Sequence, residues 1–197
     1  MAKKKAQRGK RSDKGAIASA HSAAMAAVGD QIRTSLTGRL GTAGLKRVKL
    51  DLALSAAVGG GVLAWVPLEQ SGNWTWGRLR RESPLIGVLV STIPLEDPVT
   101  RTRLAPGAYA VGVRLIGQAL MALDVYGGKK KTPVLSTQAM MVGDWDPPTD
   151  DGKINEWLFD IDVEWPSKDG FYPPPNGVFC ISFWHWTKCW WWDWPWK

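Results

Sequence analysis

Histidine and cysteine are scarce in this chain, with two of each in 197 residues. His21 and His185 leave little material for histidine-based catalysis or for a multi-histidine metal site. Two cysteines rule out a disulfide framework of the kind that holds small secreted domains together. Enzyme signatures are missing too: there is no Gly-x-Ser-x-Gly elbow, no His-Glu-x-x-His and no dinucleotide glycine fingerprint. Gly127-Gly128-Lys129-Lys130-Lys131-Thr132 is similar to a phosphate loop, but Leu123 stands where the leading glycine belongs and Pro133 follows Thr132. It reads as a basic turn between strands, and no enzymatic activity is expected.

Acidic residues are nearly absent from the first quarter. Residues 1–50 hold 12 Lys/Arg against Asp13 and Asp30, a net charge of +10. Residues 51–197 hold 13 Lys/Arg against 16 Asp/Glu, a net charge of −3, so the overall +7 joins a basic arm to a mildly acidic body. Residues 1–14 also lack large apolar side chains beyond Met1, so nothing there offsets the entropy of ordering. A disordered tail is expected, and it has no apolar stretch that would make it a secretory signal. Its cations Lys3, Lys4, Lys5, Arg8, Lys10, Arg11 and Lys14 fit a polyanion partner.

Helical periodicity follows. Ile17, His21, Met25, Val28, Ile32, Leu36 and Leu40 recur at spacings of three and four, a thin apolar stripe that Gly38, Gly41 and Gly44 are expected to end. So thin a stripe needs a partner or a neighbouring surface to be stable. The arm, residues 1–44, is thus disordered or partly helical. From Leu45 the pattern changes to period two, first in Val48, Leu50, Leu52 and Leu54. Further strands are expected at Val62–Pro67, Leu85–Ile93, Tyr109–Ile116, Gln118–Tyr126, Val134–Val142, Trp157–Trp165 and Val178–Trp184. About eight short strands separated by Gly and Pro turns make an all-β antiparallel sandwich or barrel over residues 45–183. Leu52–Leu68 carries no charge over 17 residues, at the short end of a bilayer span, but its glycine triplet, Pro67 and alternation argue for strands.

Residues 184–197 are the least ordinary part. Seven of the 13 tryptophans lie here: Trp184, Trp186, Trp190, Trp191, Trp192, Trp194 and Trp196. Such aromatic density does not stay in water. A subunit interface is the first destination expected and membrane contact the second. Asp160, Asp162 and Glu164 share one strand face and read as a solvated surface. Asp144, Asp146, Asp150 and Asp151 could supply carboxylates to a calcium ion between subunits, although their spacing is not that of an EF-hand. Cys180, His185 and Cys189 lack a fourth zinc ligand, so two free thiols in a reducing compartment are expected.

A basic arm, a small-residue segment and a sandwich of roughly 130–150 residues resemble the layout of small icosahedral RNA-virus coat proteins. Trp157-Leu158-Phe159-Asp160-Ile161-Asp162-Val163-Glu164-Trp165-Pro166, after Gly152-Lys153-Ile154, resembles the late strand of a plant-virus shell domain. Gly60-Gly61-Val62-Leu63-Ala64-Trp65-Val66-Pro67 resembles an early strand of that family. The resemblance implies an eight-stranded jelly roll, a homo-oligomeric shell and a virion location, with assembly in host cytoplasm. It also implies packaging of genomic RNA by the arm through phosphate neutralisation without sequence reading.

Overall fold

Alternation of side chains along the strands decides the architecture, which a computed structural model describes for residues 3–58, 61–69, 75–116, 120–141, 159–164, 177–183 and 186–192. Helix α1 (Lys3–Lys46) leads through a 3-10 turn (Leu50–Leu52) into the hairpin of β1 (Leu54–Val58) and β2 (Gly61–Pro67). A short helix, α2 (Trp76–Arg81), precedes β3 (Leu85–Ser91). Thr75 caps it, its side chain accepting the Arg78 backbone N–H at 3.1 Å. Next come β4 (Leu95–Glu96), β5 (Arg103–Leu104), β6 (Gly107–Ile116), β7 (Leu120–Gly127) and β8 (Leu135–Met141). The last three strands are β9 (Phe159–Glu164), β10 (Gly177–Phe183) and β11 (Trp186–Trp192).

Among the described residues the protein is all-β apart from two helices and the 3-10 turn, and its strands join one antiparallel sheet in the order β1-β2-β3-β6-β7-β8-β11-β10-β9, with β4 pairing β11 and β5 off this path. Strand β8 turns the corner: Leu135–Ala139 pair with β7, while Met140 and Met141 pair with β11. The ends of this order, β1 and β9, come into contact, so the sheet curls around its interior. Eleven strands are present among the described residues, against the eight expected. In a jelly roll, successive strands alternate between two facing sheets. Here β1-β2-β3 and β6-β7-β8 pair side by side with their chain neighbours, which is a meander.

Each central strand is buried on both faces. Leu63 and Trp65 of β2, Leu89 of β3, Val111 and Val113 of β6 and Leu123 and Val125 of β7 point inward. Trp76 and Leu79 of α2, Ile181 of β10 and Trp190 of β11 complete this interior core. Ala64, Val66, Val88, Val90, Ala108 and Ala110 point outward, where Val28, Ile32 and Leu36 of α1 cover them. Period two therefore splits each apolar run between two cores. Leu63–Val66 of the uncharged Leu52–Leu68 stretch thus find cover within the fold, and no helix among the described residues is long and apolar enough to cross a membrane. Gly87 fits the same plan, since a Cβ there would overlap the Trp65 ring.

Two local expectations are corrected. Within Val48–Leu54, Val48 makes an isolated bridge to Leu68, the chain then makes its 3-10 turn, and only Leu54 enters a strand, opposite Trp65. Leu50 packs beneath α1, where a Cβ at Gly29 would stand 2.9 Å from its Cδ1, while Leu52 is 59% exposed. Closing the loop between helix and hairpin thus outweighs the short alternation. The helix also outlasts Gly38 and breaks only at Gly41 (φ 63°, ψ 177°) before resuming to Lys46. The stripe itself is as expected from Met25 to Leu40, and what stabilises it is the chain's own sheet.

Candidate nucleic-acid interface

The basic arm is not an isolated tail. Backbone residues from Lys3 onward are helical and continuous with the segment that docks on β3 and β6. The side chains of Lys3, Lys4, Lys5, Arg8, Lys10, Arg11 and Lys14 lie outside the described ones. Where α1 crosses the end of β7, the structure brings up a second basic element. The β7–β8 turn carries Lys129, Lys130 and Lys131, all exposed, and Gly128 supplies its positive φ of 59°. The stem of Lys129 lies against Gly38 of α1, where a Cβ would overlap its Cγ. Arg39, one residue on, stacks its guanidinium 3.8 Å from the centre of the Tyr126 ring.

These contacts bring Arg39 of the helix and Lys129 of the turn, with its chain neighbours Lys130 and Lys131, onto the helix side of the sheet. Arg33 shares its charge with Asp30 at 2.5 Å, while Arg47 and Lys49 are taken up by Glu69, at 2.7 Å to its carbonyl and 3.0 Å to its carboxylate. No described acid pairs with the three lysines of the turn. Sequence reasoning set them aside as a turn. The only signal available was their run of like charge, and their position beside Gly38 is a product of the fold.

The tryptophan-rich stretch changes its meaning. Trp186–Trp192 form β11, inserted between β8 and β10 rather than trailing as a tail. Trp190 is fully buried in the interior core, so the expected role at a subunit interface is corrected for this side chain. Trp186, Trp191 and Trp192 take strand register opposite Phe183, Val178 and Gly177, while Trp184, Trp194 and Trp196 lie outside the described residues. Cys180 and Cys189 face each other across β10 and β11 and form a disulfide, which corrects the expectation of free thiols and leaves no thiolate for zinc. Antiparallel pairing brings together two residues nine apart in sequence, a juxtaposition spacing alone did not reveal.

Asp144, Asp146, Asp150 and Asp151, named above as calcium ligands, lie outside the described residues. Among those described, no group of three or more His, Cys, Asp or Glu side chains could hold a metal ion. Strand β9, which carries Asp160, Asp162 and Glu164, pairs with β10, with Asp162 in register with Cys180 and Asp160 with Ser182.

Two polar centres sit inside the body. In the first, Asp97 meets the ammonium of Lys188, with side chains 0% and 3% exposed. In the second, Asp124 accepts from Arg114 Nε at 2.9 Å and from Ser136 Oγ at 2.6 Å. Burial pushes both carboxyls up, but the hydrogen bonds from Lys188 and Thr100, and from Ser136 and Arg114, outweigh it and hold both below the ordinary aspartate value. Burial pushes the Lys188 amine down, against the pull of Asp97.

For Asp124, and for Asp97 as long as its carboxyl is free, the unfolded chain binds more protons as the medium turns acidic. Their stabilising contribution is complete above the ordinary value near pH ~4 and is lost as pH falls through the lower folded values. Urea midpoints measured from about pH 6 downward are therefore expected to drop below about pH 4. Asp124→Asn is expected to flatten part of that drop, and a profile as steep as the wild type's would deny Asp124 this role.

What fold and site define together is an all-β domain whose sheet carries a docked basic helix beside a trilysine turn. Comparison of the chain with family models, with curated proteins and with solved structures finds no match in any of the three.

Proposed function

We propose that this protein is an RNA-binding coat subunit, which gathers genomic RNA through its basic arm and assembles in many copies into a shell. The observation that carries the proposal is the separation of charge: +10 lies in residues 1–50 and −3 in the remainder. A polyanion is drawn to one end of such a molecule, while the acidic body is left for contacts between copies. The trilysine turn beside α1 supports the same reading, because it extends the basic element onto the folded domain. Phosphate contacts of this kind neutralise charge and release counterions without reading sequence.

The proposal rests on the arm and on assembly and does not require a jelly roll, since one function can sit on several folds. Its location would be the virion, with host cytoplasm the place of assembly. Calcium between subunits and membrane contact by the residues after Trp192 remain part of the proposal only as accessories. A second reading, a cellular RNA-binding β-barrel protein, is favoured by the curled meander of the sheet. Electron microscopy of purified full-length protein mixed with single-stranded RNA separates the two. Closed particles of uniform size are expected for a coat subunit, whereas discrete monomeric complexes would replace it with the second reading.

A further inference from the structure

Asp97 and Lys188 form the most deeply buried charged pair described, and the groups around them are arranged for chemistry as well as for charge balance. Asp97 opens the loop after β4, its backbone N–H donating to Thr102 O at 2.9 Å and its carbonyl accepting from Arg101 N at 2.8 Å. This turn fixes the carboxylate with Oδ1 against Lys188 Nζ. On the other oxygen, Oδ2, two donors converge: the Thr100 backbone N–H at 2.8 Å and the Thr100 hydroxyl at 2.7 Å. Thr137 of β8 spans the pair. Lys188 Nζ donates to Thr137 Oγ1 at 2.8 Å, and that hydroxyl lies 3.2 Å from Oδ1 and 3.0 Å from Oδ2. The Trp190 ring lies 5.9 Å from the amine, closing the site on the core side.

We propose that Lys188 and Asp97 condense to an internal amide that covalently links β11 to the loop after β4. The balance closes within the site. The ammonium passes a proton to the carboxylate by way of the Thr137 hydroxyl, leaving a neutral amine and a neutral acid. Desolvation works toward that exchange, against the Lys188 and Thr100 hydrogen bonds that hold the carboxylate ionised, so the neutral pair is the minor form from which attack begins. Lys188 Nζ then attacks Cγ of Asp97. Negative charge gathers on Oδ2, where the two Thr100 donors stand as an oxyanion hole stands toward a tetrahedral intermediate. The Cγ–Oδ1 bond breaks, Oδ1 departs as water with protons from the original acid and from nitrogen, and the amide remains. No oxidant, metal or external reactant takes part. Fixed proximity supplies the rate enhancement that an intramolecular reaction requires. The product replaces two buried charges with a neutral amide that keeps the Thr100 hydrogen bonds. The proposal is independent of RNA binding and of assembly.

Intact-mass spectrometry of the full-length folded protein, denatured and with its disulfide reduced, reads the reaction directly. The expected mass is lower than that of the sequence by one water molecule. Proteolysis should leave the Asp97 peptide joined to the Lys188 peptide, with no tryptic cleavage after Lys188. Thr137→Val keeps the shape of the side chain without the relay hydroxyl, and its conversion over time is expected to slow at least tenfold. Asp97→Asn offers ammonia as leaving group, so its product would be lighter by one ammonia instead. An unmodified wild-type mass after prolonged incubation of the folded protein, with free cleavage after Lys188, overturns the proposal without recourse to any variant.

Discussion

Deleting residues 1–14 is expected to weaken binding of single-stranded RNA by the order of a thousandfold at low salt and to cut the salt dependence of what remains. The segment carries Lys3, Lys4, Lys5, Arg8, Lys10, Arg11 and Lys14, seven of the 25 basic residues. For single strands each neutralised phosphate contributes about 0.7 to the slope of log K against log salt, so full engagement of the seven would lower the slope by about five. The body should not notice. Met25, Val28, Ile32, Leu36 and Leu40, which fasten α1 to the sheet, all lie beyond the deletion. Filter binding or fluorescence anisotropy across a salt series, alongside a urea melt, checks both halves of the expectation. An unchanged slope would move the RNA contact away from the arm, while an altered melt would assign the arm a structural role.

The second large effect is on folding. Trp190→Ala is expected to destabilise the domain by about 3–5 kcal/mol, the range for removing a large aromatic side chain from a packed interior. Trp190 and Trp65 are the two largest fully buried side chains described, and both belong to the core inside the curled sheet. Since single domains are stable by about 5–15 kcal/mol, such a loss takes much of the total. Chemical denaturation of the variant should show a lower midpoint with an unchanged slope. A change below about 1 kcal/mol, typical of a surface site, would remove Trp190 from the core. The same reasoning changes what truncation can test. Cutting after Phe183 removes β11 with Lys188, Cys189 and Trp190, so it would report on folding. Cutting after Trp192 spares that strand and leaves the question of an interface open to measurement.

Much of the sheet was legible in the residues. Leu85–Ser91, Gly107–Ile116, Leu120–Gly127 and Leu135–Met141 lie close to the segments marked by apolar runs and by Gly and Pro breaks. The helical stripe was legible because spacings of three and four survive any tertiary arrangement. Two failures share one cause. Val48–Leu54 alternates like one strand, but all of it before Leu54 serves as a loop closure under α1, and Trp186–Trp192 looks like an appendage but is a strand between two others. Both depend on which surface lies opposite, and local pattern does not encode that. The basic site divides in the same way. Its arm was visible as a charge imbalance, whereas the trilysine turn gained significance only when Gly38 admitted the stem of Lys129.

The sequence by itself determined the all-β class, the charge separation between arm and body and the apolar face of the arm helix, because composition and periodicity are properties of neighbours along the chain. Tertiary structure alone decided that the helix docks on its own sheet, that Cys180 bonds Cys189, that Trp190 is interior and that Lys188 meets Asp97. Those outcomes rest on strand order. Asp97 and Lys188 are 91 residues apart in sequence, and it is the pairing of β11 with β4 and β8 that holds their side chains and Thr137 within hydrogen-bonding distance.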